Sequence, residues 1–108
     1  TADGPMKSMT LEPRSVADGL NAPFAGTHGL ESVRAHVEEV VLVTEAELDE
    51  AMRFLYARAK LACEPAGAAS TAALLAGKVP LKPGETVVAV VSGGNVAAAT
   101  AAAILAGR

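Results

Sequence analysis

A four-residue turn between a strand-like run and a helix-like run constrains the fold of this chain more than any other feature. The turn, Ser92-Gly93-Gly94-Asn95, follows the apolar residues 86–91 and precedes the Ala-rich residues 96–106. A strand, a tight glycine turn and a helix form the βα unit of doubly wound α/β proteins, which bind ligands at the carboxyl ends of their strands. We expect the turn to present a hydroxyl, an amide and backbone N–H groups at the positive end of the helix.

The segments before this turn predict three further helices and one more strand, an α/β order. Thr44 and Glu47 have capping-box spacing at the start of a helix, and Pro65 suits the first position of the next one. The predicted helices cover residues 30–37, 45–62 and 66–76, the predicted strand covers residues 40–43, and residues 1–28 are loop-rich with one short helical turn. The expected buried face of the 45–62 helix comprises Leu48, Met52, Leu55, Ala59 and Ala62, with Asp49 elsewhere.

Composition and charge narrow the class of protein. The 108 residues are 51% hydrophobic and only 3% aromatic, which predicts a core of Ala, Val and Leu. A net charge of -3 gives no basic surface, so we expect no nucleic-acid partner. No apolar stretch is a convincing membrane span, and the lone Cys63 fits a reducing, cytoplasmic compartment. The first residues look like the middle of a longer polypeptide, so we expect a missing partner segment.

Glu64 and Gly19 are the candidate ligand residues outside the turn, and each has a structural alternative. Glu64 either stabilises the helix that Pro65 begins or faces a ligand. Gly19 follows Asp18, either in an ordinary Asp-Gly turn or where backbone approaches a flat ligand and glycine provides clearance.

Cys63 and the two histidines are not candidate catalytic residues. The carboxylate of Glu64 would raise the pKa of the Cys63 thiol, which favours structural burial over a nucleophile. His28 and His36 have no cysteine or acidic spacing that completes a metal site. Nothing links Ser92 to either histidine, so no Ser-His-Asp arrangement can be argued.

Four motifs along the chain carry a family resemblance. They are Ser-Val-Ala-Asp-Gly-Leu at 15–20, Val-Leu-Val-Thr-Glu-Ala-Glu-Leu at 41–48, Glu-Pro-Ala-Gly-Ala at 64–68 and Val-Ser-Gly-Gly-Asn-Val at 91–96. In this order and spacing the chain resembles the carboxyl-terminal part of the pyridoxal-phosphate enzymes of the tryptophan-synthase-β fold type. It is most similar to threonine/serine dehydratases and serine racemases. The resemblance implies a three-layer, doubly wound parallel sheet, of which residues 1–108 would be the C-terminal portion of the large cofactor-binding domain.

The resemblance also implies roles for individual residues. Ser92 corresponds to the hydroxyl that hydrogen-bonds the pyridine nitrogen of pyridoxal phosphate. A neutral hydroxyl leaves that nitrogen unprotonated, and the weaker electron sink suits β-elimination. The other implied cofactor-binding residues are Gly93 and Asn95 of the turn, Glu64 near the ring edge, and Gly19, whose backbone would line the ring.

Two departures from the family pattern matter. The family's Schiff-base lysine and phosphate loop lie upstream of the matching region, and the chain's own lysines lack that context, so we expect no catalytic residue in this chain. A divalent cation site in many members also lies upstream. Only Ala2-Asp3-Gly4 corresponds to it, so a divalent or monovalent cation is left open and metal ligands stay unknown. The lysines without matching context are Lys7, Lys60, Lys78 and Lys82.

The implied activity of the complete enzyme is deamination of L-threonine or L-serine to a 2-oxo acid and ammonia by β-elimination. The alternatives are a racemase or a threonine synthase on the same fold, a non-catalytic α/β binding module, or a fragment that binds nothing. Threonine synthases usually carry Thr and His in the turn, which favours the dehydratase and racemase branch. The implied partners are a small amino acid, the missing N-terminal part and further copies in a homo-oligomer.

Overall fold

The structure of the chain is a computed structural model that describes residues 15–22 and 24–107. Within these ranges four α-helices alternate with short helical turns and irregular segments. The helices are α1 (Thr27–His36), α2 (Glu45–Phe54), α3 (Ala69–Leu75) and α4 (Ala98–Leu105), and the short turns are two 3₁₀ turns (Asp18–Leu20 and Ala66–Ala68) and a π-helical turn (Leu55–Ala59).

The N-terminus of α2 has the predicted capping box. The backbone N–H of Glu47 donates to Thr44 Oγ1 at 3.2 Å, and the N–H of Thr44 donates to Glu47 Oε2 at 2.8 Å. Both otherwise unpaired donors are therefore satisfied, as the spacing of the two residues predicts.

The C-terminus of α2 differs from the prediction. The α-helix ends at Phe54, continues as the π-helical turn, and stops at Lys60, which has a left-handed φ of 59°. The prediction of a helix to residue 62 was therefore wrong. The left-handed residue turns the chain away from the helix axis, and residues 61–64 become a connection that leads to Glu64.

The core forms where α2 packs against α3 and α4. Leu48, Met52 and Leu55 are buried there, as predicted. Ala59 and Ala62 are exposed, which corrects the predicted buried face, because Ala59 lies in the π-helical turn and Ala62 follows the end of the helix at Lys60. Asp49 is also buried, although the prediction placed it outside the buried face. The core cluster comprises Ala17, Leu48, Ala51, Met52, Leu55, Cys63, Ala68, Ala72 and Ile104.

The remaining helices exist near their predicted positions with different bounds. Helix α1 starts three residues earlier than predicted, and it buries no residue. The predicted helix over residues 66–76 is a 3₁₀ turn followed by α3, and Gly77, at φ 68°, ends it. Helix α4 starts at Ala98 rather than at residue 96, and only Ile104 on it is buried.

The two predicted strands are not paired in a sheet within residues 15–22 and 24–107. Residues 40–43 and 86–91 are neither helical nor part of a β-ladder there. A strand requires a neighbouring strand to satisfy its N–H and C=O groups. The 40–43 and 86–91 segments do not form such backbone hydrogen bonds with each other. Their side chains are largely exposed, with Leu42 at 83% and Val88 at 81%.

Lys78 connects the first of these segments to α2. Its ammonium donates to the carbonyl oxygen of Leu42 at 2.8 Å and to Glu47 Oε2 at 2.7 Å. The 40–43 segment is thereby held at the N-terminus of α2. No helix in the part of the chain that the structure describes is both long and apolar enough to cross a bilayer.

Candidate functional site

Glu64 and Gly93 lie in direct contact. The backbone N–H of Glu64 donates to the carbonyl oxygen of Gly93 at 2.9 Å. A Cβ at position 93 would overlap the Glu64 carboxyl group, meeting Oε1 and lying 2.8 Å from Cδ. Gly93 is not at positive φ, so its missing side chain provides space for Glu64 rather than backbone freedom.

Gly19 reaches the same carboxylate from the first 3₁₀ turn. A Cβ there would lie 3.5 Å from Glu64 Oε1 and 3.2 Å from the Cβ of Ala66. Three of the five predicted cofactor-binding residues, from three separate segments, therefore meet at Glu64. The clearance that glycine provides at position 19 faces Glu64 and Ala66 in this structure.

Ser92 and Asn95 occupy the two ends of the turn, and both are exposed. The N–H of Val96 donates to the carbonyl oxygen of Gly94 at 3.1 Å, which tightens the turn before α4. Because α4 begins only at Ala98, the expected position of the turn at the positive end of the helix was wrong. The Ser92 hydroxyl and the Asn95 amide nevertheless belong to residues within two positions of Gly93 along the chain.

Gly67 is a functional candidate that the sequence did not single out. A Cβ at position 67 would lie 2.7 Å from the carbonyl oxygen of Gly93 and 2.9 Å from its nitrogen. The backbones of the second 3₁₀ turn and of the 92–95 turn therefore touch. The signal in the sequence was a glycine at the start of a helix, where glycine weakens the element unless packing requires it.

A second feature beyond the prediction is an open cavity of about 340 Å³ beside α3. The side-chain nitrogen of Asn21 is buried there without a hydrogen-bond partner among the described residues, and Ser70 contributes a hydroxyl that donates to the carbonyl oxygen of Val90 at 2.8 Å. Glu64, Ser92 and Asn95 are not among its lining residues, so it is separate from the contact at Glu64. The cavity is lined by Ser15, Ala17, Leu20, Asn21, Val41, Leu42, Val43, Leu48, Ala69, Ser70 and Ala73.

Cys63 is a core residue with a weakly acidic thiol. Its side chain is 2% exposed, and burial raises the pKa of the thiol, with a smaller contribution from the neighbouring charge of Glu64. Both effects disfavour the thiolate, so the structural interpretation of Cys63 agrees with its environment.

The described residues contain no group of three or more His, Cys, Asp and Glu side chains that could hold a metal ion. His28 is exposed and lies 3.8 Å from Glu31 on α1. The stretch Ala2-Asp3-Gly4, which resembles part of a cation site, lies outside the described residues.

Comparison with known proteins identifies relatives of the chain. Residues 2–93 match the family described as pyridoxal-phosphate dependent enzyme. The catabolic L-threonine dehydratase TdcB of Staphylococcus aureus strain N315 is 46% identical over 87 residues, which are 79% of this chain and 25% of that protein. In strain USA300 the identity is 46% over 84 residues, 76% of this chain and 24% of the relative. The chain thus spans about a quarter of the length of these curated relatives.

A solved structure resembles the chain in three dimensions. The crystal structure of the T.th. threonine deaminase superposes with a TM-score of 0.72 and 32% sequence identity, covering 85% of this chain and 30% of that one. This similarity supports the tryptophan-synthase-β-like fold type, although the described residues form no sheet of their own. Because the family match covers most of the chain, this chain belongs to the pyridoxal-phosphate-dependent enzyme family.

Proposed function

We propose that the chain is the C-terminal portion of the large cofactor-binding domain of a threonine or serine dehydratase. The complete enzyme would deaminate L-threonine or L-serine to a 2-oxo acid and ammonia. The observation that carries the proposal is the meeting of Gly19, Glu64 and Gly93, since three separate segments with family motifs converge on one carboxylate.

The residues at this point suit a flat pyridine ring. The turn combines an exposed hydroxyl on Ser92 and an exposed amide on Asn95 with two glycines between them. At position 19 the space that glycine leaves is taken up by Glu64 and Ala66, so the first 3₁₀ turn lies directly beside the carboxylate. The ring would lie against the backbone of this turn and of the 92–95 turn, where glycine keeps side chains from intervening.

Ser92 would hold the ring nitrogen by donating its hydroxyl hydrogen. When bound, pyridoxal phosphate stabilises the negative charge that develops at the substrate's α-carbon. A neutral donor keeps the pyridine nitrogen unprotonated, which moderates that stabilisation and favours loss of the β-hydroxyl. Asn95, at the other end of the same turn, would add an amide beside the ring.

Glu64 would carry a negative charge beside the ring edge. Its carboxylate is half-buried between Gly19 and Gly93, and its own backbone N–H is bonded to the turn that carries Ser92. A movement of the turn would therefore also move the carboxylate. This coupling would fix the distance between the two polar groups that contact the cofactor.

The proposal also assigns a role to the two strand-like segments of this chain. The unpaired segments 40–43 and 86–91 would be strands of a doubly wound parallel sheet whose other strands, and whose Schiff-base lysine, belong to the N-terminal part. The exposed apolar side chains of both segments support this, because such residues are normally covered in a finished sheet.

We further propose a cytoplasmic location and a homo-oligomeric state for the complete enzyme. The buried free thiol of Cys63 suits a reducing compartment. The oligomeric state rests on the family resemblance, and the molar mass of the full-length protein by light scattering would test it.

Purified full-length protein that contains this chain provides the test. With pyridoxal phosphate, we expect cofactor absorbance and release of a 2-oxo acid from L-threonine or L-serine. Replacement Ser92→Ala should lower cofactor affinity about tenfold, the effect of losing one hydrogen bond of about 1.5 kcal/mol. The matched control is Ser32→Ala, which removes an exposed hydroxyl from α1.

Three other results would contradict the proposal. A protein that binds no pyridoxal phosphate would be a non-catalytic α/β module. A protein that binds the cofactor and converts L-serine to D-serine without 2-oxo acid would be a racemase. Equal cofactor affinities of the Ser92→Ala and Ser32→Ala proteins would remove Ser92 from the site.

A further inference from the structure

The closest backbone approach at the candidate site involves Gly67. The family resemblance implies no role for this residue. The carbonyl oxygen and the nitrogen of Gly93 lie 2.7 Å and 2.9 Å from where a Cβ of residue 67 would be. Both distances are shorter than real Cβ contacts allow. The obstructing atoms are backbone atoms, so they cannot rotate away as the end of a side chain can.

The other contacts of the 92–95 turn leave it little room to move away from Gly67. Gly93 is bonded through its carbonyl oxygen to the N–H of Glu64, and a Cβ at Gly94 would already lie 3.3 Å from the carbonyl oxygen of Ala62. Gly67 itself is buried. The 92–95 turn is therefore packed against residues 62–67 along its backbone.

We propose that Gly67 is a positioning residue for the 92–95 turn, which sets where Ser92 meets the cofactor ring. The proposal rests on the proposed function, in which Ser92 holds the ring nitrogen. Gly67 does not touch the cofactor. It acts through Gly93, because any side chain at position 67 displaces the Gly93 peptide and moves the adjacent hydroxyl.

Glycines away from the candidate site lack such a contact. Gly26 and Gly29 have open space where a Cβ would be. Gly77 also has open space, but its φ of 68° favours glycine for another reason. Gly29 lies in α1 and is not at positive φ, so Gly29→Ala is a matched control that adds the same methyl group without a contact.

The test is a titration of the full-length apoprotein with pyridoxal phosphate, followed by absorbance and fluorescence, alongside thermal unfolding of each apoprotein. We expect Gly67→Ala to keep a cooperative unfolding transition and to bind the cofactor several-fold to about tenfold more weakly, at most the loss expected for Ser92→Ala, because small misplacement of a contact group has large effects. Gly29→Ala should bind as the wild-type protein does.

A double-mutant cycle with Ser92→Ala distinguishes action through the turn from an independent effect. If Gly67 acts through Ser92, Gly67→Ala should change affinity by less than about twofold in the Ser92→Ala background. Additive losses would overturn the proposal, and so would wild-type affinity of the single variant.

Failure of Gly67→Ala to fold would also overturn it, because Gly67 would then serve the fold rather than the turn. The proposed function fails on a different result. In that case the wild-type protein itself binds no pyridoxal phosphate, whatever residue 67 is.

Discussion

At the scale of single residues, the glycines at 19, 67 and 93 provide space rather than backbone freedom. None of the three has positive φ, yet the position of each missing Cβ is close to or occupied by a neighbouring segment. The glycine-rich turn was predicted from the sequence as a ligand-binding turn. The structure adds that the side chain of Glu64 occupies the space where a Cβ of residue 93 would lie.

Replacement Gly93→Ala should force Glu64 out of its present position. We expect a loss of about 1–3 kcal/mol in the free energy of unfolding, typical of overpacking, measured by urea denaturation of the full-length apoprotein. Adding Glu64→Ala should recover most of that loss, because the obstructing carboxyl group is then absent. Gly29→Ala is the control and should cost nothing. A double variant as unstable as Gly93→Ala would show that the Glu64 side chain is not the obstacle.

At the scale of elements, α2 is held at its N-terminus by a combined cap and ion pair. Glu47 accepts from the Thr44 N–H and from Lys78, which also donates to the carbonyl oxygen of Leu42. The capping box could be read from residues three positions apart. The Lys78 contact could not, because residues 47 and 78 come together only after α2 and α3 pack.

The ion pair predicts a dependence of stability on pH. The hydrogen bond from Lys78, followed by the one from the Thr44 backbone, holds the pKa of Glu47 below its usual value. Glu47 therefore contributes stability that is complete above its pKa in the unfolded chain, about 4.3. The contribution is lost as the pH falls through the lower pKa of the folded chain.

Urea denaturation between about pH 3 and pH 6 would measure this dependence. We expect wild-type protein to be more stable than Glu47→Gln at the upper end and the difference to shrink as the solution is acidified. The matched control, Glu50→Gln, alters an exposed carboxylate on the same helix and should follow the wild type. A pH-independent difference between wild type and Glu47→Gln would contradict the assignment to the ionised carboxylate.

At the scale of the whole molecule, the described chain has a closed core and an apolar part that is not covered. The core joins α2, α3 and α4. Residues 40–43 and 86–91 pack against it only through Val43 and Val91. They carry large exposed apolar side chains, including Val40 at 75% and Val90 at 67%. Such unpaired apolar segments favour association with other chains.

The isolated 108-residue chain should therefore self-associate. Sedimentation velocity is expected to show a mass that rises with concentration above 10.8 kDa. The double variant Leu42→Lys/Val88→Lys should reduce association, because a charge on each segment opposes edge pairing. Leu75→Lys, which alters an exposed apolar residue at the end of α3, is the control. A concentration-independent mass of 10.8 kDa for the wild-type chain would contradict the prediction.

The sequence by itself determined the helices, the capping box, the glycine turn and the family, because each depends on residues that are neighbours along the chain or on ordered motifs. It also named Gly19, Glu64 and Gly93, but only as separate positions. Their meeting at one carboxylate, and the close approach of Gly67, were decided by the tertiary structure.

The same distinction explains why the predicted end of α2 and the two predicted strands differ from the structure. The early end of α2 depends on a left-handed residue, Lys60, and lysine carries no local signal for that conformation. The two strand-like runs have the composition of strands, but a ladder forms only where another strand supplies hydrogen bonds. Local sequence fixes which conformation a segment favours, whereas contacts between distant segments decide which groups it faces.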